Sequence, residues 1–157
     1  MKFDHFQMLI KNIQDATGKT PAPIRPDRLP PLVLAYIGDA YYTLYVRTRL
    51  LAYEQNRVRV LHTFDSQIVS AAMQAYGVRA FESELTENEL DVLRRGRNAK
   101  STPTRNASVG DYRYSTGFEA LVGYLLLSEN QARLDEIVEK VFTAAMRKLT
   151  GNEQEQG

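Results

Sequence analysis

Two apolar segments, each carrying a single charge, constrain this chain more than any other feature. Residues 29–46 read LPPLVLAYIGDAYYTLYV, and residues 114–127 read YSTGFEALVGYLLL. Neither alternates for long as a strand does, and a helix that is apolar around most of its circumference belongs in a core. The lone charges, Asp39 and Glu119, are then in an unfavourable place. An ionised carboxylate removed from water is costly unless it is paired or metal-bound. Two such groups on separate core helices can meet and share one cation. They can equally form ion pairs with arginines, or reach water at a helix edge. Gly38 precedes Asp39, and Gly117 stands two residues before Glu119. Small residues admit a ligand or a second backbone, and they fit tight helix packing just as well.

Composition narrows what such a cation site can be. The 157 residues suit one domain with a real core, and 43% apolar with 25% charged residues is ordinary for a globular chain. Cysteine is absent and His5 and His62 are the only histidines, which argues against a zinc site of the usual nitrogen- and sulfur-rich kind. Oxygen donors remain, and these suit magnesium or manganese. The N-terminal stretch places charges inside its apolar pattern and has no signal-peptide core. No apolar run is long enough to span a bilayer, so a cytoplasmic protein with no membrane partner is expected.

The periodicity predicts helices throughout. Phe3, Phe6, Ile10 and Ile13 give a helix over 2–16, followed by a proline-rich linker. A second helix is expected from Pro30-Pro31 to about residue 52. A third is expected over 57–75, ended by Gly77. Thr86 and Glu89 form a capping-box pattern that opens a helix to about Asn98. Residues 101–113 read as a loop, and helices follow at 115–127 and 130–149. The expectation is an all-α helical bundle: helix and linker over 1–28, one folded domain over 29–149, and a disordered tail over 150–157.

Charge is segregated along the sequence. Residues 94–113 hold Arg94, Arg95, Arg97, Lys100, Arg105 and Arg113 against one acid, Asp111, whereas 81–91 hold five acids and no base. Acid at the start and base at the end of a helix suit its dipole. The dipole acts only within the last turn, however, and the basic residues continue well beyond it. With Asn98, Ser101, Thr102 and Thr104 interspersed, the segment is equipped to contact phosphates. A polyanion-binding segment close in sequence to a candidate metal carboxylate suggests phosphodiester hydrolysis. The rival is a non-catalytic helical RNA-binding protein. A helical nucleotide phosphohydrolase would call for histidine–acid clusters that the sequence lacks. His62 reads as a packing or surface residue. Tyr36, Tyr41, Tyr42 and Tyr45 read as core and interface rather than base-stacking residues.

These residues carry a resemblance. LAYIGDAYY at 34–42 resembles the signature helix of the ribonuclease III family, and STGFEALVGYLLL at 115–127 resembles its second acidic helix. RRGRNAKS at 94–101 resembles a motif of the Mini-III branch, and similarity extends from about Leu32 to Phe142. The resemblance implies an endonuclease domain over 29–149, a homodimer, magnesium, and cleavage of double-stranded RNA to products with a 5′ phosphate. For the Mini-III branch, which lacks a separate double-stranded RNA-binding domain, it implies maturation of precursor large-subunit ribosomal RNA, with a place for a ribosomal protein helper. By position, Asp39 and Glu119 match catalytic metal-site carboxylates, and Tyr36 matches an aromatic residue inserted into the partner subunit. Further acids of full-length ribonuclease III are replaced here by Leu32, Ala35 and Thr116, which implies fewer direct protein ligands.

Overall fold

The computed structural model describes residues 2–103 and 106–151. Among them there is no strand. Seven helices follow in order: α1 (Lys2–Ala16), α2 (Pro31–Leu50), α3 (Val58–Ile68), α4 (Ala71–Phe81), α5 (Glu87–Asn98), α6 (Val109–Leu127) and α7 (Gln131–Gly151). Short 3-10 turns at Pro26–Arg28 and Glu82–Glu84 precede α2 and α5. The all-α expectation holds.

Helix α6 is the hub, packing against α2, α4, α5 and α7. Glycine explains how it can touch so many neighbours. At the α2–α6 crossing, a Cβ on Gly38 would lie 1.7 Å from the Glu119 carbonyl oxygen, and one on Gly123 would lie 2.0 Å from the Leu34 carbonyl oxygen. The two backbones therefore lie in direct contact. Gly117 and Gly96 do the same for α5 and α6. Around these crossings Leu34, Tyr42, Val46, Phe118, Leu121, Leu134, Ile137 and Val141 are fully buried. Tyr42 and Phe118 meet edge to face, with ring centroids 5.0 Å apart.

Several boundaries differ from the sequence reading. The helix expected over 57–75 is two helices. Ser70 leaves the helical conformation at ψ 151° and its side chain accepts from the Met73 amide, which caps α4. Gly77 does not end a helix; it lies inside α4, where the missing side chain admits Val141 of α7. Helix α6 starts six residues earlier than expected because Ser108 accepts from the Asp111 amide at 3.1 Å. Asp111 and Arg113 are therefore helical rather than loop residues. Thr150 and Gly151, assigned to the tail, continue α7, and the rest of the tail lies outside the described residues. The capping box is present as expected, with Thr86 and Glu89 bonding reciprocally. Glu89 is also held by Arg133 of α7 at 2.8 Å, so this N-terminus is pinned into the bundle. Helix α1 has no substantial packing against the others, and Phe6, Leu9 and Ile13 are exposed. No helix among the described residues is long and apolar enough to cross a membrane.

Candidate active site

The glycine contact between α2 and α6 decides where the two lone carboxylates stand. Asp39 follows the residue whose Cα rests on the Glu119 backbone, so the two acidic positions fall side by side. Their environments differ. Glu119 is partly buried, whereas Asp39 is exposed. This corrects the reading of both as charges in buried helices. One side of α2 is uncovered in the chain, with Leu32, Val33, Tyr36 and Leu44 exposed, and Tyr36 reaches 76% exposure. Helical spacing sets Asp39 at the border of this apolar stripe.

The Glu119 carboxyl is pushed up to about 8 from an ordinary value of 4.5, first by burial and then by the negative charge of Asp39. Contact with the Gln74 amide works in the opposite direction. Gln74, on α4, was missed by the sequence reading. Its signal was slight: a lone amide in the otherwise small and apolar run VSAAMQAYGV. It is 1% exposed, its Nε2 donates to the Val69 carbonyl at 3.0 Å, and its Oε1 has no partner among the described residues.

This donor set fits a hydrated divalent cation. Two carboxylates supply hard oxygen ligands, and an unpartnered buried acceptor beside them can take a hydrogen bond from a hydrating water. No third histidine, aspartate or glutamate joins the pair among the described residues. Magnesium, which keeps several of its waters, tolerates so sparse a protein shell.

The basic segment is divided. Arg94, Lys100 and Arg113 are exposed and make no ion pair among the described residues, and Asn98 is exposed beside them. Arg95 pairs with Asp91 at 3.2 Å. Arg97 donates to the Tyr114 hydroxyl at 3.0 Å and lies over its ring, so its head is engaged within the fold. Arg105 lies outside the described residues. Helix α5 crosses α6 at Gly96 and Gly117, which brings this segment to the turn of α6 that precedes Glu119. His62 sits 3.8 Å from Asp65, a buried acid that Arg47 holds at 2.7 Å, and takes no part in the site. An apolar cleft of about 290 Å³ near Leu50, Tyr53 and Phe64 includes neither carboxylate.

Residues 32–130 match the Ribonuclease III domain. A Mini-ribonuclease 3 of Clostridium tetani is 46% identical over 114 residues, covering 71% of this chain and 76% of that protein. The chain belongs to the Mini-III branch of the ribonuclease III family. A Mini-ribonuclease 3 of a Thermoanaerobacter species is 48% identical over 112 residues, covering 71% of this chain and 79% of that protein. The crystal structure of a Fusobacterium nucleatum protein, 26% identical, superimposes with a TM-score of 0.68 over 74% of this chain and 93% of that one. This Mini-III chain is therefore an endoribonuclease, and its substrate class is double-stranded RNA.

Proposed function

We propose that the chain is a magnesium-dependent endoribonuclease that works as a cytoplasmic homodimer. Asp39 and Glu119 are its metal ligands, and precursor large-subunit ribosomal RNA is its substrate. The observation that carries this reading is the meeting of two carboxylates from different helices at a glycine crossing, each the lone charge of its segment.

A bound magnesium, or manganese in its place, supplies a Lewis acid for the phosphoryl oxygen and for the attacking water. The chain's own residues do the rest. Exposed Asp39 presents its carboxylate where the backbone of a duplex arrives, while partly buried Glu119 is backed by α4. Arg94, Lys100 and Arg113 take phosphates, with Asn98 as a neutral donor. Duplex RNA hides its base edges in a deep major groove, so contacts of this kind suit it better than base readout does. The exposed stripe of α2 is the dimer contact, with Tyr36 at its centre. Two-fold pairing would place one Asp39–Glu119 site against each strand. Attack of water on the scissile phosphorus, with the 3′ oxygen as the leaving group, would leave 5′ phosphates on the products.

The test is substitution without loss of shape. Asp39→Asn and Glu119→Gln should each lower cleavage of duplex RNA by at least about a thousandfold, roughly 4 kcal/mol of transition-state stabilisation. Duplex binding in calcium should stay within a few-fold of wild type. Near wild-type cleavage by either variant removes that residue from the site.

A further inference from the structure

Gln74 closes the Asp39–Glu119 pair on the α4 side, and the reaction so far leaves it without a task. Burial of a glutamine at this depth needs a reason. The Val69 carbonyl, freed where α3 breaks from α4, accounts for one amide hydrogen of Nε2. It does not account for the carbonyl end. Oε1 is buried with no partner among the described residues, a condition that is costly and that native interiors seldom keep. Leucine would fill the same space without a buried side-chain carbonyl, losing only the bond to Val69. What distinguishes Gln74 from a filler is its neighbour: α4 packs on α6, and the Gln74 side chain lies near enough to the Glu119 carboxyl to oppose the effect of burial on it.

We propose that Gln74 is the positioning residue of the metal site, its amide hydrogen holding the Glu119 carboxylate and its free Oε1 accepting from the cation's hydration shell. This rests on the assignment of Asp39 and Glu119 as metal ligands. An amide suits the place because it offers a donor and an acceptor without changing the charge of the site. A third carboxylate would add repulsion to a pair already in conflict, and a lysine would neutralise the ligands the cation needs. The Val69 bond fixes the plane of the amide, so both ends keep their directions.

The experiment uses the whole chain without RNA and manganese(II) alone as the probe, its free concentration read by electron paramagnetic resonance. Gln74→Leu keeps the bulk and removes both polar ends. Gln74→Asn keeps both ends and withdraws them by one methylene. Each should bind manganese about tenfold more weakly than wild type. Each should also need correspondingly more magnesium for half-maximal cleavage, with KM for duplex RNA within twofold. Melting in EDTA confirms which variants are folded, and either folded variant suffices. If Gln74 only ties Val69, melting temperature falls while manganese affinity stays within twofold of wild type, and the proposal is overturned. Glu119→Gln in the same assay separates the two claims. If it binds manganese as wild type does, the metal-site assignment fails and Gln74 loses its role with it. If it loses binding while the Gln74 variants do not, only the Gln74 proposal fails.

Discussion

Glu119 holds a proton at neutral pH in the metal-free chain, because burial and the charge of Asp39 raise it to about 8. Its ordinary value is 4.5. Between those limits the folded protein keeps a proton that the unfolded chain has released, so raising the pH through this window lowers stability. Glu119→Gln removes the effect. In EDTA the variant should gain on the order of 2 kcal/mol over wild type between about pH 5 and pH 8.5, read from paired urea titrations. Cation binding expels the same proton. The magnesium needed for half-maximal cleavage should therefore fall as pH rises and level off above about 8. Equal magnesium requirements at about pH 6 and pH 8 would contradict this. Asp39 and Glu119 were legible in the sequence because a charge inside an apolar run stands out. Their unequal exposure was not, since it depends on which side of α2 the other helices leave open. Gln74 was hidden for a related reason: a neutral amide in an apolar run carries no charge to mark it.

At the scale of elements, the helices were legible and their seams were not. Periodicity finds a helix, and Thr86 with Glu89 announces a start. Ser70 and Ser108 also start helices; Ser70 has only Met73 three residues on and is an ordinary residue in a sequence, whereas Ser108 with Asp111 carries a start pattern that the sequence reading missed. The function of the glycines was ambiguous until the crossings were seen. Gly38→Ala would drive a methyl group into the Glu119 carbonyl. Moving α2 to relieve it should cost at least about 2 kcal/mol and separate the two carboxylates. Chemical denaturation and a cleavage assay should thus both register a change, whereas Gly110→Ala, where only the far end of Arg79 is near, should leave cleavage unaltered. The end of α5 makes a different claim. Arg94 and Lys100 make no ion pair among the described residues and can meet phosphates, while Arg95 lies at ion-pair distance from Asp91 and Arg97 is bonded to Tyr114. Replacing Arg94 and Lys100 together with alanine should reduce the slope of log affinity against log salt by about two units. Arg97→Ala should instead lower stability through Tyr114. A slope unchanged in the double variant would move RNA binding to another surface.

Among the described residues, one side of α2 is left uncovered at Leu32, Val33, Tyr36 and Leu44, and this is the basis for a dimer. Tyr36→Asp places a charge in that stripe, where an unpaired ion removed from water is severely unfavourable. Sedimentation equilibrium at micromolar concentration should show a wild-type dimer and a monomeric variant. A monomeric wild type with full double-strand cleavage would remove the dimer from the mechanism. The α2–α6 contact has a last consequence, for heat. In many enzymes the working groups sit on loops that loosen before the body of the protein melts, and activity fades ahead of unfolding. Here the main chains that carry the two carboxylates touch where α2 crosses α6. That backbone spacing cannot yield without parting the two helices, so warming should leave it intact until they separate.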